Sequence, residues 1–199
     1  MTLRYAGIEV EQREVALREK PLSLLAISAK ATVPVLQLVD GRVLDQSLDI
    51  MRWALDQSDP NDWLQTDTRE ALRWARLNDE TFKPLLDRYK YPERYPEYSR
   101  TDYLARSLTQ FLEPLNQQIG TSAYMLGSRI SWVDVAVFPF VRQFAAADEG
   151  TFRALPLKAI QRWLDGWLSS ELFASVMQKT PVGADGRAPG KSSRDTSVA

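Results

Sequence analysis

A proline interrupts the β-branched run Thr32-Val33-Pro34-Val35-Leu36, and no other feature of the chain restricts its possible folds so tightly. Proline cannot donate to a ladder, so Pro34 belongs at a strand start, an edge or a bulge and has a local task. The Val35 to Leu38 run, Asp40-Gly41 and the Arg42 to Leu44 run then read as a hairpin, because Asp-Gly readily supplies the two positive φ values of a tight I′ turn. Past Asp45, the residues Ile50, Trp53, Ala54 and Leu55 make a rough helical stripe, which puts Gln46 and Ser47 at or beside a helix N-terminus. Free amides and the positive end of the helix dipole make that spot favourable for a carboxylate. A Ser47 that merely caps its helix is the plainer reading, and spacing alone leaves both open.

Upstream, residues 1 to 7 read as the last turns of an amphipathic helix closed by Gly7. Ile8 to Leu17 then reads as extended, with Ile8 and Val10 on one face and Val15 and Leu17 on the other. That change of parity implies a twist, a bulge or a sheet edge. Ser23 to Ile27 suggests a short helical piece, and the Ser58-Asp59-Pro60-Asn61 cluster ends the next helix and marks a linker.

The rest of the chain repeats one pattern. Ala71, Trp74, Ala75, Asn78, Phe82, Leu85, Leu86 and Tyr89 recur at helical spacing, with Asn78 as a polar member of the inner stripe. Leu104, Leu108, Phe111, Leu112, Leu115 and Ile119 do the same, after Ser99 and Asp102 at capping-box spacing. Pro84 and Pro114 remove helical hydrogen bonds, so bends are expected near both. Ser131 and Asp134 form another capping box, with Ile130 and Val135 as its staple, and are assigned a structural role. Further stripes at Leu157 to Trp167 and Leu172 to Met177 read as core. The expected organisation is an α/β unit over 1–58, a linker over 59–66, an all-helical unit over 67–182, and a disordered tail over 183–199 that lacks apolar anchors.

Composition narrows the chemistry. The 199 residues include no Cys and no His, which excludes from them a disulfide, a protein thiol centre, a Cys/His zinc site and an imidazole base. No metal is expected. Lys+Arg 25 against Asp+Glu 26 gives no electrostatic footprint for nucleic acid or an anionic membrane, and neither is expected as a partner. With no bilayer-length apolar run and no basic-then-apolar leader, the cytosol is the default location.

The segments Arg4-Tyr5-Ala6-Gly7-Ile8-Glu9-Val10, Glu19-Lys20-Pro21, Val33-Pro34 and Gln46-Ser47, in this order, resemble the amino-terminal domain of the glutathione transferase superfamily. Gly127-Ser128-Arg129-Ile130-Ser131-Trp132-Val133-Asp134-Val135-Ala136 resembles the helix-capping segment of that family's helical half. The resemblance covers about residues 1 to 180, and among the classes the cysteine-type branch is the nearest match. It implies a thioredoxin-like domain, shortened at its start, followed by an all-α domain. By comparison with the family, Met1 falls inside the first helix, so the catalytic residue is expected upstream of Met1 and none is assigned within the chain.

The resemblance also implies a binding site for glutathione as co-substrate. Val33 would offer its backbone N–H and C=O to the cysteinyl part beside a cis Pro34, while Gln46 and Ser47 would hold the γ-glutamyl end and Lys20 the glycyl end. Gln46 stands where the family usually has an acid and so loses charge assistance. An isolated lysine such as Lys20 is more often a solvated surface charge. Trp74, Tyr89, Tyr91 and Tyr95 are candidates for an acceptor pocket; alternatively Trp74 and Tyr89 are core and the Tyr91-Pro92-Glu93-Arg94-Tyr95-Pro96 stretch is a stiffened loop. The implied activity is glutathione transfer to, or removal from, small electrophilic or thiol substrates, with a homodimer as a further possibility. The rival reading is a non-catalytic glutathione-binding or interaction protein on the same fold.

Overall fold

A computed structural model describes residues 1–15 and 20–178. The tail expected to be disordered, and residues 16–19 of the stretch read as extended, lie outside the described residues.

The first helix, α1 (Thr2–Tyr5), ends as the sequence requires. Gly7 takes φ +70, the Gly7 amide donates to the Arg4 carbonyl and the Ile8 amide to the Leu3 carbonyl, together a Schellman closure. Residues 8–15 then run without a ladder partner, which corrects the expectation of a strand beginning at Ile8. The sheet found among the described residues is a two-stranded hairpin, and residues 8–15 do not pair with either of its strands. After α2 (Leu22–Ile27), the hairpin pairs β1 (Leu36–Gln37) with β2 (Val43–Leu44) antiparallel, Leu36 opposite Leu44 and Gln37 opposite Val43.

The turn differs from the I′ type expected. Only Gly41 has positive φ (+87); its amide donates to the Leu38 carbonyl, and the Leu38 amide donates to the Arg42 carbonyl. This is the three-residue loop with glycine in the left-handed position. The Asp40 carboxylate accepts from the Arg42 amide at 3.0 Å and from Arg42 Nε at 2.7 Å, which fixes Asp40 without a positive φ.

Helix α3 (Ser47–Gln57) packs against α1, with Ile50, Ala54 and Leu55 buried. A clasp joins this half to the next. The Asp59 carboxylate accepts from Tyr5 Oη and from the Trp63 and Leu64 amides, each at 2.8 Å, while the Tyr5 ring stacks on Trp63 at 3.5 Å between centroids.

The helical half comprises α4 (Thr68–Leu77), α5 (Lys83–Lys90), α6 (Arg100–Ser107), α7 (Glu113–Ile119), α8 (Trp132–Ala147), α9 (Glu149–Ala154), α10 (Lys158–Leu168) and α11 (Glu171–Val176). The disturbances expected at Pro84 and Pro114 take a specific form. A π-helical turn precedes each proline, at Asn78–Phe82 and at Leu108–Leu112. A proline has no N–H and its ring crowds the carbonyl four residues back, so a widened turn accommodates both defects. The two wide turns pack side by side, with Phe82 stacked on Phe111 at 4.2 Å. Around them Trp74, Tyr89, Leu115, Phe138, Val141, Phe144 and Trp163 form one continuous core.

Candidate functional site

The sequence-derived site residues flank the two arms of the hairpin. The ladder pairs Leu36 with Leu44 and Gln37 with Val43; Val33 and Pro34 precede it on one arm, and Gln46 and Ser47 follow it on the other. The Val33–Pro34 bond is cis. The backbone N–H and C=O of Val33 carry no intramolecular backbone hydrogen bond, and the residue is 46% exposed. On the other arm Gln46 is the N-cap of α3 in extended conformation, and Ser47 is the first helical residue rather than the cap.

No side chain caps α3. The Ile50 amide is the first to bond back, to the Gln46 carbonyl at 3.0 Å, so the amides of Ser47, Leu48 and Asp49 have no helical acceptor. Four other helix starts are closed by side chains, Asp67 on α4, Ser99 on α6, Asp148 on α9 and Ser170 on α11, whereas α2, like α3, has no side-chain cap. The exposed side chains of Gln46 and Ser47 therefore stand beside open donors. Spacing could not show that Lys30 Nζ reaches Asp45, the residue before Gln46, at 3.0 Å, because the two are 15 positions apart. Lys20 is exposed and makes no ion pair among the described residues.

The candidates for an acceptor pocket divide. Trp74 and Tyr89 are core residues, 1% and 3% exposed, and Tyr89 stacks on Phe144 at 4.5 Å. Burial raises the Tyr89 hydroxyl pKa above its ordinary value. Tyr91 and Tyr95 lie half-buried around the short 3₁₀ turn Pro92–Arg94, under the guanidinium groups of Arg94 and Arg88 respectively. The structure thus separates the two buried rings from the two surface rings.

Ser131 and Asp134 are both fully buried. Asp134 Oδ2 accepts from the Ser131 amide at 3.0 Å and from its hydroxyl, and Oδ1 accepts from the Met125 amide at 2.8 Å and Trp163 Nε1 at 2.9 Å. Burial pushes the Asp134 carboxyl above the usual range, and those four donors oppose the shift. Among the described residues no group of three His, Cys, Asp or Glu is placed to hold a metal ion, and no helix is long and apolar enough to cross a membrane.

Residues 1–57 match the family model for the glutathione S-transferase N-terminal domain, and residues 92–166 match that for its C-terminal domain. The chain belongs to the glutathione S-transferase family. No curated protein matches the sequence significantly.

The solved structures agree on the glutathione S-transferase fold. A glutathione transferase from Burkholderia graminis, with two glutathione molecules bound per subunit, is 21% identical over 87% of this chain and 79% of its own, at a TM-score of 0.71. A family member from Pseudomonas fluorescens Pf-5, with two glutathione bound, is 16% identical over 94% and 86%, at 0.73. A class Gtt2 enzyme from Vibrio parahaemolyticus is 20% identical over 87% and 88%, at 0.66. Within this glutathione S-transferase the hairpin and the start of α3 belong to the N-terminal domain match, and the buried Ser131–Asp134 cap to the C-terminal one.

Proposed function

We propose that the chain binds glutathione along the hairpin edge and the first turn of α3, as the co-substrate of its transfer to a small electrophile, which releases a leaving group or takes up the proton, or of exchange with a small disulfide, which releases a thiol. The observation that carries this reading is the uncapped α3: three amides and the Ser47 hydroxyl lie open where the second hairpin arm ends, and Val33 precedes the first arm. A γ-glutamyl carboxylate suits those donors, through charge-assisted hydrogen bonds and the helix dipole. The unpaired N–H and C=O of Val33 offer an extended cysteinyl residue the two bonds of a short added strand. Lys20 takes the glycyl carboxylate in this reading. The thiol is glutathione's own, since the 199 residues contain no cysteine.

A homodimer and a cytosolic location complete the proposal, and the cysteine-type class stays an implication of the resemblance alone, since these 199 residues hold no cysteine. The first two rest on the resemblance and on family membership.

Calorimetric titration of glutathione into the chain tests the reading. Gln46→Glu is expected to tighten binding, because a carboxylate in place of the amide adds charge assistance for the ammonium group. Unchanged or weaker affinity would remove Gln46 from the site, and no heat with either protein would refute the reading as a whole.

A further inference from the structure

Ala31 takes φ +49, and among the described residues only Ala31 and Asp62 hold a positive φ without being glycine. An aspartate tolerates the left-handed region through its short polar side chain, whereas an alanine sets its Cβ against a neighbouring carbonyl with nothing in return. Ala31 is also buried. Three residues earlier the Ser28 hydroxyl is buried with no hydrogen-bond partner among the described residues. Two local costs therefore fall within four residues. Costs of this kind persist only where the surroundings impose them, and they gather at functional sites.

Two ties hold the turn. The Ala31 amide donates to the Ser28 carbonyl at 3.0 Å, and the ion pair of Lys30 with Asp45 fastens it beside Gln46. From there the chain passes through Thr32 to Val33, whose N–H and C=O make no backbone hydrogen bond. With no ladder bond on Val33, its direction is set by the turn behind it. The left-handed well of a residue with a Cβ is narrow, whereas a glycine ranges over positive and negative φ alike. The alanine at position 31 thus holds the chain to one exit direction where a glycine would leave several.

We propose that Ala31 is a positioning residue, whose left-handed conformation fixes the direction in which Val33 presents its N–H and C=O to the cysteinyl backbone of glutathione. This rests on the glutathione reading given above. Ala31 is buried and acts through Val33, so the strain it carries serves binding and not folding.

The test uses the full chain. By calorimetry Ala31→Gly binds glutathione about fivefold more weakly than the wild type, the low end of what ordering one residue's backbone costs. Its melting temperature equals or exceeds that of the wild type, because release of the left-handed strain offsets the freedom a glycine adds to the unfolded chain. Ala31→Ser, whose Cβ imposes the same restriction, keeps the wild-type affinity. Wild-type affinity in Ala31→Gly, a loss of affinity accompanied by an earlier melt, or an equal loss in Ala31→Ser overturns the assignment. If the wild type itself takes up no glutathione, the glutathione reading fails and the role of Ala31 falls with it, a result that the wild-type titration alone tells apart from the others.

Discussion

Asp134 holds its place through what it accepts. Four donors converge on one buried carboxylate, from Ser131, Met125 and Trp163, so a single side chain ties the start of α8 to the preceding loop and to α10. Asp134→Ala would strand several buried donors at once, each costing on the order of 1–3 kcal/mol. The expected result is a loss of about 3–5 kcal/mol and a fall in melting temperature of about 10 °C, read by calorimetry. Asp134 was half legible in the sequence. The Ser131 to Asp134 spacing announced the capping box, whereas Met125 and Trp163 are brought to the carboxylate by tertiary packing, which no local pattern encodes. The same division explains Lys30 and Asp45, whose ion pair depends on the hairpin closing between them.

Among the elements, the hairpin shows where local sequence suffices and where it falls short. Asp40-Gly41 placed the turn, but of the two positive φ values expected of it only one is found. The Asp40 side chain decides by bonding the Arg42 amide and guanidinium, and only Gly41 enters the left-handed region. Gly41→Ala should therefore cost about 1–2 kcal/mol, the penalty of an L-residue at positive φ, with no clash contributing because nothing lies within 4 Å of an added Cβ. Denaturant unfolding would show it as a lower midpoint at unchanged slope. The π-helical turns before Pro84 and Pro114 were legible only as trouble spots, since an apolar stripe at helical spacing does not register a single widened turn. Residues 8–15 read as extended because Ile8 and Val10 alternate in the sequence, and that alternation does not specify whether a strand pairs with them.

For the molecule as a whole, the junction of its two halves turns on Tyr5. Its hydroxyl donates to Asp59 and accepts from the Asn61 amide at 2.6 Å. Burial first, and then the adjacent Asp59 carboxylate, push its pKa up to about 12. The folded state thus holds this proton more tightly than the unfolded chain, whose tyrosines titrate near 10. The contribution of Tyr5 is complete below about pH 10 and is lost as pH rises from there through about 12, where the folded-state hydroxyl ionises. Stability measured against pH should fall more steeply over that window in the wild type than in Tyr5→Phe, which has no proton to lose. A matching slope in the two proteins would remove Tyr5 from the alkaline transition. The Ser58-Asp59-Pro60-Asn61 cluster marked the end of α3 in the sequence, while the clasp left no mark there, because a tyrosine at position 5 carries no sign of an aspartate 54 residues away.

The stack of Tyr5 on Trp63, at 3.5 Å and within 9° of parallel, also makes the junction visible to light. Two aromatic transitions held face to face couple, and that coupling gives a near-ultraviolet circular dichroism signal that exists only while the rings remain stacked. The seam between the halves therefore carries its own optical gauge, and docking of one half on the other can be followed in the unmodified protein without an added dye.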